Sequence, residues 1–316
     1  MPAAFAEWLR EQRIPFGENT SIAPHLNFRI GGTVRLLVSP ASPGHLARVL
    51  EKLASGLPST GLAYVVIGGG SNIAFSDGLT RAAVVLAPAS PQVGARILED
   101  GSLQVEGEAR NQPFLAWCAA NRAGGMEFLS GIPGTLGGAA AVNAGAFGRS
   151  MSDVLLGADI IDETGAHRTV DAAHFAFRYR DSKFKLGRET VLALRLRWEP
   201  GDEAAIARKV RDHLEYRARR HPPYRQASAG CFFKNPLLGG VKTSAGKVIE
   251  ECGLKGATCG DLAVAREHAN FLLNRGQGTF ADLRRLEEKI REAVAARTGI
   301  VLERDVIYVS PDGKKY

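Results

Sequence analysis

The sequence predicts an α+β fold, and three observations favour this class. From about Asn19 to Pro200 the chain is rich in short β-type runs and glycine turns, whereas from Asp202 to Gly299 it is mainly helical. No steady alternation of strand and helix is present, which argues against a doubly wound sheet. With 316 residues the chain is long enough for two or three domains.

Apolar runs bounded by turn residues predict strands in the first part, with amphipathic runs between them predicting helices. The predicted strands are VRLLVSP (34–40), YVVIGGGSN (64–72), AAVVLAP (82–88), LQVEGEA (103–109), ADIIDETG (158–165) and TVLALRLRW (190–198). The predicted helices are HLARVLEKLASG (45–56) and PFLAWCAANRAGG (113–125).

Two longer helices are predicted in the second part. AAIARKVRDHLEYRARRH (204–221) stops at a pair of prolines, and FADLRRLEEKIREAVAARTG (280–299) places its leucines on one face and ends at Gly299. The final stretch, GIVLERDVIYVS (299–310), returns to a strand pattern. The opening MPAAFAEWLREQR reads as a short amphipathic helix and not as a signal peptide.

Composition and charge exclude several classes of protein. The net charge is +7, but the basic residues are dispersed apart from a cluster of arginines at 217–225, and stacking aromatics do not accompany them. We therefore expect no nucleic-acid partner. The four cysteines show neither a disulfide framework nor metal-ligand spacing, and no apolar run approaches the roughly 20 residues of a membrane span. We expect a cytoplasmic, metal-free, monomeric protein without membrane insertion.

Two glycine runs are candidates for cofactor binding. In Tyr64–Ile73 a buried strand ends in three glycines, and successive N–H groups in such a turn form an anion nest. It is neither a dinucleotide fingerprint nor a Walker loop. A plain glycine turn is the alternative for this run. In Gly131–Gly148, six glycines and five alanines leave little side-chain volume. That run suits either a large flat ligand or close packing of two backbones.

Further motifs give the chain a family resemblance. They are NFRIGG (27–32), IGGGSN (67–72), the 132–148 run, FRYRDSKFK (177–185), SAGCFFKNP (228–236), AGKVIEECGLKG (245–256) and LERDV (302–306). In this order they resemble the MurB family, the UDP-N-acetylenolpyruvoylglucosamine reductases, over nearly the whole chain. The short link from Trp198 to Asp202 resembles the shorter form of the family, which lacks a tyrosine-bearing insertion.

The resemblance implies a fold and a reaction. We expect an FAD-binding region of the vanillyl-alcohol-oxidase (PCMH) type over 1–200, with subdomains of about 1–66 and 67–200. A substrate domain over 201–299 and a returning strand over 300–316 would follow. NADPH would reduce noncovalent FAD, and flavin N5 would pass hydride to C3 of the enolpyruvyl sugar nucleotide before C2 is protonated.

The same resemblance implies which residues bind the cofactor. They lie in the first conserved motif and in the two glycine runs: Arg29, Ile67, Gly68, Gly69, Gly70, Ser71, Asn72, Ile132, Pro133, Gly134, Thr135, Gly137, Gly138, Ala139, Asn143, Gly145 and Ala146.

Three residues carry the expected catalysis. Arg180 matches the family's arginine, whose planar guanidinium suits a developing carboxylate charge, although a structural pair with Asp181 is the alternative. Cys231 stands where the family usually has serine, and either donates the proton to C2 or merely fills a pocket. The family's glutamate falls at Asp305, one methylene shorter, with Glu303 as the fallback. On a strand, 303 and 305 would face the same side.

The remaining matches concern the substrate. We expect contacts to the diphosphate, sugar or uridine from Tyr179, Arg220, Lys234, Asn235, Lys242, His268 and Asn270. For His268 a purely structural role is the alternative. Two rival functions stay open at this point: another FAD oxidoreductase of the same fold, and a nucleotide-binding module that has lost catalysis.

Overall fold

The computed structural model of the chain describes residues 2–60, 62–88 and 92–316. Two compact units divide it. The N-terminal unit comprises Met1–Glu18, Arg35–Gly69 and Arg81–Arg217, and the C-terminal unit comprises Asn19–Val34, Gly70–Thr80 and Ala218–Tyr316. These compact units follow other boundaries than the functional domains expected from the sequence, which stay a prediction.

The helices, numbered along the chain, are α1 (Pro2–Glu11), α2 (Pro43–Thr60), α3 (Asn111–Ala120), α4 (Leu136–Ala141), α5 (Lys183–Leu186), α6 (Glu203–Ala218), α7 (Ala245–Glu251) and α8 (Phe280–Thr298). The strands are β1 (Phe16–Ser21), β2 (Thr33–Val38), β3 (Tyr64–Ile67), β4 (Ile73–Phe75), β5 (Leu79–Leu86), β6 (Ala95–Ile97), β7 (Leu103–Glu106), β8 (Ala123–Gly124), β9 (Gly145–Ala146), β10 (Arg149–Ser150), β11 (Leu155–Ile161), β12 (His167–Asp171), β13 (Thr190–Leu196), β14 (Glu199–Pro200), β15 (Ala227–Cys231), β16 (Leu237–Leu238), β17 (Val241–Lys242), β18 (Thr258–Cys259), β19 (Leu262–Val264), β20 (Phe271–Asn274) and β21 (Ile307–Val309).

Two sheets form the body of the N-terminal unit. One has the order β1-β2-β5-β3, with β3 and β5 parallel, and α1 and α2 contribute Leu9 and Leu50 to the core beneath it. The other is antiparallel, in the order β12-β11-β13-β7-β6, and packs with α3 and α4 through Phe114 and Leu136. Several strands, such as β3 and β5, are buried along continuous runs, as strands covered on both faces are.

The C-terminal unit has one core of its own. Its antiparallel sheet, β15-β20-β19-β18, packs against one face of α8, on which Leu283, Leu286, Ile290 and Val294 are fully buried. This is the apolar face that the helical spacing predicts. Gly299 ends α8 in the left-handed region at φ 71°, as a C-terminal glycine commonly does.

The observed elements confirm the α+β class. Strands and helices occur in each stretch for which the sequence predicts them, with shifted ends. The run 64–72 stops being a strand at Ile67, and the run 113–125 stops being a helix at Ala120.

The prediction for 299–310 is wrong in part, because only Ile307–Val309 forms a strand. Glu303 and Asp305 lie before it, and Arg304 makes an isolated bridge with Phe233. Strand alternation therefore says nothing about which way Glu303 and Asp305 face. Among the described helices, none has the length and apolar character required to cross a membrane.

Candidate functional site

In the N-terminal unit the two glycine runs lie against each other. A Cβ built on Gly68 would come within 2.5 Å of Thr135 Oγ1, and one on Gly69 within 2.4 Å of the Cα of Gly134. Real Cβ atoms do not approach other atoms so closely, so neither position admits a side chain. The sequence interpretation of two backbones in close packing is thus confirmed at this contact.

Unpaired main-chain donors make the first run suitable for an anion. Within the part of the chain that the structure describes, the N–H groups of Gly68 and Gly69 donate to no protein acceptor. Successive N–H groups left in this way attract a phosphate or pyrophosphate. A glycine turn that binds no ligand would not require these N–H groups to stay unpaired.

The second run is fixed by the segment before α3. The Gly137 N–H donates to the Gly107 carbonyl at 2.7 Å, and the Asn111 side chain donates from Nδ2 to the Ile132 carbonyl at 3.0 Å. Thr135 Oγ1 accepts from the Gly138 N–H at 3.2 Å and so caps α4. The run is therefore held in one conformation by main-chain and amide hydrogen bonds.

Asn143, the one amide side chain of this run, also has a structural task. Its Nδ2 donates to the Arg178 carbonyl at 2.8 Å, and its Oδ1 accepts from the Ser152 N–H at 3.0 Å. The residue itself is in the left-handed region at φ 46°. Asn143 thereby ties the run to the turn that carries Arg180, and one Nδ2 hydrogen is left to reach a ligand.

Two buried acceptors in this region have no partner. Oε1 of Glu108 and Oδ1 of Asn111 accept no hydrogen bond from any described residue, and burial raises the pKa of Glu108 to about 7. Buried polar atoms are normally paired, so such orphans are expected beside a ligand with donors. The cradle, meaning 64–69 of the first glycine run, the second run and 107–112, fits a cofactor that carries both a pyrophosphate and hydroxyl groups.

Arg180 lies at the tip of a tight turn. Arg178 and Asp181 exchange main-chain hydrogen bonds of 3.0 and 3.2 Å, and Arg180 between them has φ 55°, an uncommon value for a residue with a side chain. Its Nη2 donates to the Gly145 carbonyl, and the buried Lys185 Nζ donates to the Arg180 carbonyl at 3.0 Å. Lys185 is thus a positioning residue for Arg180, and Tyr179 is exposed beside it.

The C-terminal unit contains the end of the first glycine run. Gly70 has φ 62°, and a Cβ on it would lie 2.3 Å from the His25 carbonyl oxygen. Asn72 accepts from the Ile307 N–H at 3.0 Å and donates from Nδ2 to the Asp305 carbonyl at 3.2 Å. Asn72 thereby anchors the segment that carries Asp305.

Arg29 belongs to the same unit and also has a left-handed conformation, at φ 54°. The buried Asn274 donates from Nδ2 to the carbonyls of Phe28 at 3.2 Å and Arg29 at 3.3 Å. Its Oδ1 accepts from Gly276 and Gly278. The glycine N–H groups thus fix Asn274, which in turn binds the main chain at Phe28 and Arg29.

Cys231 ends β15 and is exposed. The register of β15 against β20 shifts between Ser228 and Cys231, and Gly230 at φ 77° lies within the shift. Such a bulge redirects the side chain that follows it. The alternative in which the thiol fills a pocket is wrong, because the neighbouring Phe232 and Phe233 are the buried residues.

The segment after Cys231 pairs with the segment around Asp305. Phe233 bridges Arg304, the Asp305 N–H donates to the Phe232 carbonyl at 2.8 Å, and the Lys234 N–H donates to the Glu303 carbonyl at 2.8 Å. Two motifs 70 residues apart in the sequence thus become neighbouring segments.

The side chains of this pair distinguish the two candidate acids. Lys234 Nζ forms an ion pair of 2.5 Å with Glu303 Oε1. Glu303 is therefore occupied as the counter-ion of Lys234.

Asn270 has a structural role beside the Cys231 strand. It is buried, and its side chain accepts from the Phe233 N–H at 2.9 Å and donates to the Phe233 carbonyl at 2.8 Å. Asn270 thus positions the residues that follow Cys231. The substrate contact expected from the sequence stays a prediction.

His268 supports Asn270. Its Nδ1 accepts from the Asn270 N–H at 3.2 Å, its ring packs edge-on to His221 and Phe271, and burial lowers its pKa. A ring that accepts at Nδ1 is neutral. The structural alternative for His268 accounts for these contacts.

The remaining candidates lie on the surface of the C-terminal unit. Asn235 Oδ1 accepts from the Ala245 N–H at 3.0 Å at the start of α7, which leaves Nδ2 to donate. Lys242 is exposed on β17, and Arg220 is exposed in the turn after α6.

Sequence reasoning missed the residues that support the site, among them Glu108, Asn111, Lys185 and Asn274. Only the polar stretch RNQ (110–112) ahead of an apolar helix gave a visible signal.

Comparisons with known proteins agree with this site. Residues 34–171 match the model of an FAD binding domain, which suits the cradle. Residues 222–309 match the model described as UDP-N-acetylenolpyruvoylglucosamine reductase, C-terminal domain. The second match contains Cys231 and Asp305.

Whole-chain relatives extend the agreement. UDP-N-acetylenolpyruvoylglucosamine reductase of Bradyrhizobium sp. is 35% identical, with 91% of this chain and 90% of the relative covered. A second relative of that name, from Symbiobacterium thermophilum, is 37% identical, with 89% and 88% covered. The crystal structure of UDP-N-acetylenolpyruvylglucosamine reductase (MurB) from Thermus caldophilus has a TM-score of 0.74 at 26% identity, with 93% and 98% covered. The chain belongs to the UDP-N-acetylenolpyruvoylglucosamine reductase family.

Proposed function

We propose that this protein reduces UDP-N-acetylglucosamine enolpyruvate to UDP-N-acetylmuramate for peptidoglycan synthesis, with NADPH as reductant and noncovalent FAD as the carrier. The observation that supports it most is the pairing of 232–234 with 303–305 in the C-terminal unit. That pairing fixes the chain directly after Cys231 and directly before Asp305, two predicted catalytic residues. Bound FAD would supply hydride transfer from NADPH to C3 of the enol ether.

Arg180 has the task of stabilising charge. Hydride addition at C3 leaves negative charge at C2, shared with the adjacent carboxylate. A guanidinium held in place before the reaction stabilises that charge without reorganisation. The left-handed turn and the Lys185 contact support such a fixed position for Arg180.

Cys231 has the task of donating the proton to C2. The thiol is exposed at the end of a bulged strand, whose next residues are clamped by Asn270. A free cysteine has a pKa of about 8.5, so its protonated form prevails at neutral pH.

Asp305 assists at the same centre, in preference to Glu303. Its main chain is bound on both sides, by Phe232 and by Asn72. A rigid backbone can place a shorter carboxyl where the reaction requires it. Glu303 already neutralises Lys234.

The diphosphate and uridine would be bound by basic and amide groups of the C-terminal unit, namely Arg220, Lys242 and Asn235. A substrate contact by Tyr179 stays a prediction. Arginine and lysine are the usual ligands of phosphate. We also propose a cytoplasmic monomer with the functional domains 1–200, 201–299 and 300–316.

Steady-state kinetics test the reaction. The purified protein should retain FAD and oxidise NADPH only when the enolpyruvyl sugar nucleotide is present, with UDP-N-acetylmuramate as product. NADPH oxidation that this substrate does not stimulate, in protein that retains FAD, would favour a different flavin reductase. Protein that cannot retain FAD would favour a module without catalysis.

A further inference from the structure

A strained hairpin turn closes the second glycine run. Strands β9 and β10 pair through Ala146 and Arg149, and the two residues between them, Phe147 and Gly148, have φ values of 52° and 81°. A two-residue turn with both central residues at positive φ favours Asn-Gly, because other side chains are strained there. Phe147 stands at the position where asparagine or glycine would be relaxed.

The ring of Phe147 is held by α6. His213 stacks on it in parallel, with ring centroids 3.7 Å apart and planes 6° apart. Tyr216 meets it edge-on at 5.6 Å, and the Arg217 guanidinium lies 5.5 Å from its centroid. These contacts offset the strain and so account for a bulky residue in this turn.

The same histidine also contacts the segment that leads into the run. His213 Nδ1 lies 2.9 Å from the Glu127 carbonyl, and since a carbonyl only accepts, Nδ1 carries the proton. That carbonyl also receives the Ser130 hydroxyl at 2.6 Å, and Ser130 directly precedes Gly131. One side chain thus contacts Phe147, near the end of Gly131–Gly148, and Glu127, four residues before its start.

We propose that His213 is a positioning residue that clamps this run in the conformation that binds FAD and presents Gly145 to Arg180. The run contains almost no side chains with which to fix itself, so its order depends on outside contacts. The Gly145 carbonyl, two residues before Phe147, accepts from Arg180. A preformed cradle avoids the ordering cost that a loose one adds to binding. The inference rests on the proposed function only in its choice of ligand.

FAD titration of the apoprotein tests the clamp. His213→Ala removes the stack and the donor, and should weaken the FAD Kd about tenfold, which corresponds to about 1.4 kcal/mol. His213→Phe keeps a ring, and His213→Asn keeps a donor, so each should lie between His213→Ala and the wild type. Phe147→Gly should weaken FAD binding without lowering the apoprotein Tm, because glycine relieves the strained turn.

A matched control is His167→Ala, which removes an exposed histidine of the same unit that pairs with Glu51. It should leave the FAD Kd unchanged. The proposal is overturned if His213→Ala and Phe147→Gly both bind FAD within twofold of the wild type, or if His167→Ala weakens binding as much as they do. Should His213→Ala not fold, Phe147→Gly and His213→Asn decide. A wild type that binds FAD yet turns over no substrate would refute the proposed function while the titration still decides this inference.

Discussion

Two regions of the molecule prepare chemistry in opposite ways. In the N-terminal unit, Gly68 and Gly69 lie so close to Gly134 and Thr135 that no side chain fits, and the main chain itself offers the ligand-binding groups. In the C-terminal unit, we propose that Cys231 acts through its side chain, while a buried amide holds the main chain of Phe233 and an ion pair holds the side chain of Lys234. We therefore expect that adding a side chain in the cradle disrupts ligand binding. In the Cys231 region we expect that removing a side chain lowers activity.

The largest effect is expected at Cys231. Cys231→Ala should lower kcat about 10³-fold, within the range for loss of a general acid, while the FAD content stays normal. Steady-state turnover measures this fall in kcat. Cys259→Ala, at a half-buried cysteine of the same unit, should be neutral, and Cys231→Ser should remain active. A dead Cys231→Ser would show that the thiol does something a hydroxyl cannot.

The next prediction concerns Glu108 in the cradle and the pH dependence of stability. Burial raises the pKa of Glu108 to about 7 from an ordinary 4.5. Between these values the folded state binds more protons than the unfolded state, so the free energy of unfolding falls as pH rises. Glu108→Gln should remove this fall. Its free energy of unfolding should therefore rise relative to that of the wild type by up to about 3 kcal/mol between pH 5 and pH 8.

Urea unfolding of the apoprotein at the two pH values checks this prediction. Glu99→Gln, at an exposed glutamate of the same unit, serves as the control. Parallel pH dependences of the wild type and Glu108→Gln would contradict the assignment.

The next largest effect is expected from substitution of Arg180. Arg180→Lys keeps the charge but loses the planar fork, so kcat should fall about 10²-fold, with a smaller change in KM. Arg178→Lys is the matched control, because Arg178 is exposed and its main chain makes the contacts that hold the turn. Equal losses in the two variants would refute a role for the Arg180 guanidinium.

The smallest expected effect distinguishes Asp305 from Glu303 as the acidic residue of the reaction. Asp305→Asn should slow the reduction of the enolpyruvyl substrate at least tenfold, or about 1.4 kcal/mol, whereas Glu303→Gln should change it less than threefold. Stopped-flow measurement of that half-reaction gives both values. The reverse ranking would transfer the acidic role to Glu303.

The same contrast explains what could be read from the sequence. Periodicity and breakers predicted α1, α2, α3, α6 and α8, because the apolar face of α8 and the prolines after α6 are local signals. The short helices α4, α5 and α7 were not predicted. The pairing of 232–234 with 303–305 was not predictable, since main-chain hydrogen bonds between distant segments leave no trace in residue type. For the same reason the strand expected at Glu303 and Asp305 was wrong.

The site residues divide in a similar way. Motif resemblance pointed to Asn270 and His268, but only the hydrogen bonds reveal that they support the Cys231 strand. Glu108 and His213 belong to no motif, and their roles depend on burial and on neighbours far along the chain.

One anaerobic experiment tests the central claim most directly. The wild type and Cys231→Ala are each reduced with one equivalent of NADPH and then mixed with the enolpyruvyl sugar nucleotide while the flavin absorbance is followed. We expect NADPH to bleach the flavin band of both proteins, and the sugar nucleotide to restore it rapidly only in the wild type. Restoration in Cys231→Ala at the wild-type rate would contradict the account.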